Sequence, residues 1–80
     1  MTMPKRQLQL LGTQGCHLCD LAEAMLLQAL DRSQVEVQLI DIAASDDLFE
    51  LYGVKIPVLR CPVSQTVLCW PFDELAVKRF

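Results

Sequence analysis

The sequence predicts an α/β fold: a small four-stranded mixed sheet with helices on both faces, in the order β-α-β-α-β-β-α. Three observations predict it. Polar and apolar residues alternate over residues 7–10 and again over 35–39, the period of a half-buried strand. Between these stretches Leu18, Leu21, Ala22, Met25 and Ala29 recur at the spacing of one helix face. The chain has 80 residues, 52% of them hydrophobic and 21% charged, which supplies one core and leaves too little length for a second. Residues 1–80 are therefore read as a single domain.

The elements follow in order. The first strand centres on residues 7–10 and stops at Gly12, where Gly12-Thr13-Gln14-Gly15 signals a loop. The first helix runs from about His17 to Asp31. The second strand begins at Val35 and is expected to reach Ile42. Ser45-Asp46-Asp47 places a capping hydroxyl and two acids at a second helix start, and Gly53 stops that helix after Tyr52. Pro57 lacks the N–H of a sheet ladder and suits the opening of a third strand ending at Cys61. Residues 62–65 turn the chain, and residues 66–70 return as a fourth strand. Asp73 and Glu74 begin a last helix whose final turn carries Lys78 and Arg79, so charge complements the helix dipole at both ends.

Strand, helix and strand of this length imply a parallel pair with a right-handed crossover, and the last two strands a hairpin. The Gln-bearing face of the sheet is expected to be covered only by the short middle helix. Met25, Leu26, Leu27 and Leu30 read as core, and Trp70 as core or rim.

A net charge of −3 repels phosphate, so neither nucleic acid nor an anionic membrane is an expected partner. No stretch approaches the ~18 apolar residues of a membrane span. The basic start, Lys5-Arg6, is followed by Gln7 and Gln9, which interrupt any secretory apolar region. The expected setting is a reducing cytoplasm and the expected state a monomer. In that setting clustered cysteines serve redox chemistry or metals more often than structural crosslinks.

Four cysteines are present. Cys16-His17-Leu18-Cys19 falls where the first strand's loop enters the first helix, and residues three apart share a helix face, so the two sulfurs can join. Cys16 lies at the helix N-terminus, where unpaired N–H groups and the dipole favour the thiolate, the nucleophilic form. Cys19, one turn in, is expected to be less exposed and suited to resolve a mixed disulfide. His17 either stabilises the Cys16 thiolate or is an exposed residue of the rim, and Asp20 opposes the thiolate modestly. Cys61 and Cys69 read as small apolar residues of the sheet interior, with a second redox pair or an oxidation-sensitive spare thiol as the alternatives.

Three segments resemble the glutaredoxin branch of thioredoxin-fold proteins: Gly15-Cys16-His17-Leu18-Cys19-Asp20, Tyr52-Gly53-Val54-Lys55-Ile56-Pro57-Val58-Leu59 and Phe72-Asp73-Glu74-Leu75. The first two are most similar to small bacterial glutaredoxin-like proteins with a Cys-His-Leu-Cys site. The resemblance implies a thioredoxin-like sheet of order 2-1-3-4, with the first and last helices on one face. It implies thiol–disulfide exchange, Cys16 as nucleophile and Cys19 as resolving thiol, on a protein disulfide or a glutathione mixed disulfide. It also implies a cis-proline at Pro57 beside the Cys16 sulfur, and backbone groups of Ile56 that meet an extended thiol substrate. His17 and Leu18 would border the substrate, and Asp73 would meet a glutathione amino group or simply cap its helix.

No cofactor is expected to be bound, and glutathione is the candidate reductant. Two departures count against it. Residues 11–15 contain no base to pair with a glutathione carboxylate, leaving Lys55 as the nearest one, and Trp70-Pro71 stands where the family carries a Gly-Gly pair. Two other readings compete with exchange. Four cysteines and His17 are enough ligands for a metal or iron–sulfur centre. Alternatively, an idle thiol pair would leave a thioredoxin-fold module that docks another protein.

Overall fold

The computed structural model describes residues 5–80. The expected order of elements is present: β1 (Arg6–Gly12), α1 (His17–Ala29), β2 (Val35–Asp41), a 3₁₀ turn (Ile42–Ala44), α2 (Asp46–Tyr52), β3 (Val58–Cys61), β4 (Thr66–Cys69) and α3 (Glu74–Arg79). The sheet order is β2-β1-β3-β4, the order implied by the resemblance. β1 and β2 run parallel through seven residue pairs from Arg6–Val35 to Gly12–Asp41, while β3 is antiparallel to β1 and β4 antiparallel to β3.

Alternation along β1 divides the core. Leu8 and Leu10 point to one face, where they join Ala22 and Leu26 of α1, Leu59 and Cys61 of β3, Phe72, and Val77 of α3. The first and last helices thus share a face. Leu11 points to the other, where it packs with Ile42 and Val58 under Leu48, Tyr52, Ile40 and Ile56. This is the face of Gln7 and Gln9, and α2 is the helix that covers it. Each fully buried leucine contributes about 1.5–3 kcal/mol, so the second, three-residue cluster holds α2 less firmly than the first holds α1.

Several boundaries differ from expectation for local reasons. α1 ends at Ala29, because Asp31 instead accepts hydrogen bonds from the N–H (2.9 Å) and hydroxyl (2.7 Å) of Ser33 and turns the chain into β2. β2 stops at Asp41, whose carboxylate caps the 3₁₀ turn by accepting the Ala43 N–H at 2.9 Å. β3 starts at Val58, with Pro57 just outside the ladder. β4 stops at Cys69, although the Trp70 N–H still donates to the Pro57 carbonyl at 3.1 Å. Leu27 is not core: it is 49% exposed, because it follows Leu26 by 100° around α1, away from the buried stripe of Cys19, Ala22 and Leu26. Trp70 is half-buried and meets Phe72 edge to face, ring centroids 5.0 Å apart.

Candidate functional site

β1 delivers the chain to the site. After Gly12 the loop passes through Gly15, whose φ of +77° is a left-handed conformation that glycine adopts without steric cost. Cys16 is then the N-cap of α1, extended at φ −84° and ψ 103°, and its Sγ accepts the Cys19 N–H at 3.1 Å. A cysteine thus fills the capping role usually taken by Ser, Thr or Asp. The N–H that meets its sulfur favours the anionic form, as does the positive end of the thirteen-residue helix. Asp20, exposed in the same turn, opposes that charge.

Cys16 and Cys19 are joined as a disulfide, Cα atoms 5.2 Å apart. The two sulfurs are unequal: Cys16 is half-buried, whereas Cys19 is 8% exposed. Cys19 is buried against the end of β1. A Cβ placed on Gly12 would lie 2.9 Å from Cys19 Sγ and 3.2 Å from its Cβ. Gly12 is therefore part of the site, holding open the space that Cys19 occupies. Sequence reading took Gly12 only as a strand end; a glycine closing the strand just before a C-x-x-C is the signal that points to it.

The second segment arrives across the sheet. Leu11 pairs with Val58, so continuing the antiparallel register sets Pro57 opposite Gly12, at the same end of the sheet as the disulfide. The Ile56-Pro57 peptide is cis, as the resemblance implies, and Pro57 is buried. The Ile56 N–H donates to the Tyr52 carbonyl at 3.1 Å, in the turn that ends α2. Lys55, just before it, is exposed.

His17 and Leu18 are exposed on the first turn of α1, Leu18 at 45%. Asp73 is the N-cap of α3, its Oδ1 accepting the Ala76 N–H at 2.8 Å. Trp70-Pro71, also cis, borders Pro57 through the Trp70 N–H.

The remaining cysteines do not form a second pair. Cys61 pairs across the hairpin with Thr66, and Cys69 with Val58, which puts the two side chains on opposite faces. Cys61 is buried in the main core, as expected, but Cys69 is exposed, because β4 is an edge strand and the face opposite α1 is covered only as far as α2 reaches. The Ser64 hydroxyl and then its N–H, with the Arg6 guanidinium and the Val63 N–H adding to them, draw the Cys61 thiol down from 9.0 to about 7, against the opposing effect of burial. Among the described residues no three His, Cys, Asp or Glu side chains gather closely enough to hold a metal ion. Among the described residues no helix is long and apolar enough to cross a membrane.

The family described as Glutaredoxin-like domain (DUF836) matches residues 7–80, both site segments included. The chain belongs to this family. Solved structures agree with it. Protein XcR50 of X. campestris, in its crystal structure, is 35% identical with a TM-score of 0.78, over 90% of this chain and 91% of that one. Its solution structure is 36% identical with a TM-score of 0.74, over 90% and 87%. Protein Ne2328 of Nitrosomonas europaea is 29% identical with a TM-score of 0.79, over 96% and 92%. No curated protein matches the chain. In this glutaredoxin-like domain the Cys16–Cys19 pair, at disulfide distance at the head of α1, suggests a redox thiol function.

Proposed function

We propose that the chain is a dithiol–disulfide oxidoreductase. The observation that carries this reading is the capping geometry: Cys16 Sγ accepts the Cys19 N–H at the N-terminus of α1, while Cys19 lies one turn in, buried and within disulfide reach.

In the reduced protein the Cys16 thiolate attacks one sulfur of a substrate disulfide. The substrate S–S bond breaks, a mixed disulfide forms, and the departing thiolate takes a proton. Cys19, having lost its proton, attacks Cys16 Sγ; the mixed disulfide breaks and the second substrate thiol leaves. Two electrons have passed to the substrate and the Cys16–Cys19 disulfide remains, to be reduced by an external thiol. The unequal burial supports this division of labour, since the half-exposed sulfur meets substrate and the covered one waits.

His17, Leu18, Pro57 and the Ile56 carbonyl border the approach to Cys16, the carbonyl accepting one N–H of an extended substrate segment. The substrate class that fits is a protein disulfide. Trp70-Pro71 borders Pro57 with bulk, the loop after β1 has no base, and Asp73 is engaged as a cap, so a glutathione mixed disulfide is the poorer substrate and glutathione the poorer reductant.

Single substitutions test the assignment. Cys16→Ser should abolish reduction of a protein disulfide. Cys19→Ser should retain the first step and accumulate a mixed disulfide visible as a mass increase equal to the substrate. If Cys16→Ser retains activity, or if the wild type reduces neither a protein disulfide nor a glutathione mixed disulfide with any thiol donor, the proposal fails.

A further inference from the structure

β2 is an edge strand, and the sequence does little to protect it. Its seven residues pair with β1 without a bulge, and it contains no Pro or Lys; its only charges are Glu36 and Asp41. The opposite edge, β4, has four residues and runs into Trp70-Pro71. Beside β2, on the face it shares with α1, lie two hollows in line. One, of about 460 Å³, lies at the head of α1, bordered by Cys19, Leu39 and the carboxylate-bearing residues Asp20, Glu23 and Asp41. The other, of about 280 Å³, lies at the tail of α1, bordered by Leu26, Leu27, Leu30, Val35 and Val37, with Lys5 and Arg32 at its rim. Leu27 and Leu39 are 49% and 57% exposed along this seam.

We propose that this flank docks an extended segment of a partner protein, added to the sheet as a fifth strand along β2. The segment carries a basic side chain in the hollow beside Cys19 and a large apolar side chain, four residues away, in the hollow beside Leu30. The spacing follows from the strand. The hollows border β2 around Ile40 and around Glu36, four residues or ~13 Å apart, and residues four apart on an added strand face the same side. Main-chain hydrogen bonds to the β2 edge supply affinity and the two hollows supply selection, the usual division in strand addition.

Charge selects the occupant. Three acids at one end ask for a cation on the added strand itself, and β2 of a second copy, Val-Glu-Val-Gln-Leu-Ile-Asp, carries none within the strand, its nearest bases, Arg32 and Lys5, lying outside it. Docking here does not require exchange at Cys16, although the head-end hollow borders Cys19 and a segment seated in it would lie against that residue.

The test uses the oxidised full chain, isotopically labelled, titrated with a blocked threonine-based heptapeptide carrying arginine and leucine four residues apart. Two control peptides replace the arginine by glutamate or set arginine and leucine three residues apart, on opposite faces. Amide shifts should map to β2 and the Cys19–Leu30 flank of α1, and both controls should bind about tenfold more weakly. The double variant Asp20→Lys, Glu23→Lys, both positions lying on the solvent-facing flank, should reverse the preference between the arginine and glutamate peptides while its spectrum shows an intact fold. Equal binding of the three peptides, shifts confined to α2 or β4, or no binding at millimolar peptide would each overturn the proposal. So would sedimentation as a dimer with the β2 amides protected in the absence of peptide.

Discussion

Cys19 is buried against Gly12, and a Cβ at Gly12 would fall inside the contact distance of its sulfur. Oxidised Cys19 is tied to Cys16 and cannot rotate away, whereas reduced Cys19 can. Gly12→Ala should therefore cost about 1–3 kcal/mol, the range for overpacking a core, with the larger loss in the oxidised protein. Denaturant unfolding of both redox forms measures it; equal loss in the two forms would mean that the methyl group meets something other than this sulfur. Cys61 gives a pH-dependent counterpart. Its folded value of about 7 lies below the ordinary 9.0, so the folded state holds the thiolate more readily than the unfolded chain does. Stability from this source is complete above pH 9 and is lost as pH falls toward 7. Relative to Cys61→Ala, the wild type should gain stability as pH is raised through that window, in unfolding curves recorded at fixed ionic strength. At this scale the sequence is partly legible. The C-x-x-C and its helix start are visible in it, whereas the exposure of Cys69 is not, because by sequence both Cys61 and Cys69 read as sheet interior and the β3–β4 register puts them on opposite faces. The approach of Gly12 to Cys19 is not, because it depends on how closely a helix settles on a strand.

Among the elements, α1 and α3 are both capped by the side chain that precedes them, Cys16 and Asp73. The two caps serve different ends. Capping by Cys16 keeps its sulfur on the Cys19 N–H at the site, whereas Asp73 holds a six-residue helix that could not persist without packing. α3 is also tied at its far end, where Arg6 Nη2 donates to the Phe80 carbonyl at 2.6 Å and its guanidinium lies 6.0 Å from the Phe80 ring centroid. Asp73→Ala should lower stability by about 1 kcal/mol while leaving the rate of protein-disulfide reduction at the wild-type value. A drop in that rate larger than the loss of folded protein would assign Asp73 to the substrate instead. The capping role was readable from Asp73-Glu74 preceding an apolar helix. The prior engagement of the Ile56 N–H was not, since it depends on how the chain leaves α2 at Gly53.

For the whole molecule, two periodicities sufficed for the fold class, because strands and helices of this length leave few ways to bury both faces of a four-stranded sheet. The strand order came from resemblance to a family rather than from periodicity, and the sheet agrees with it. Less legible was the flank of α1, where Leu27 satisfies a helical apolar pattern and yet faces solvent beside an unpaired strand. The Cys16–Cys19 pair is expected to be a reversible two-electron couple. A redox titration in thiol buffers, with mass mapping of the joined cysteines at each point, tests it most directly. It should give one two-electron transition that converts Cys16–Cys19 between dithiol and disulfide near the glutaredoxin range of about −200 to −230 mV, with Cys61 and Cys69 unchanged throughout. A pair that stays joined, or stays reduced, across the whole range of buffers would contradict it.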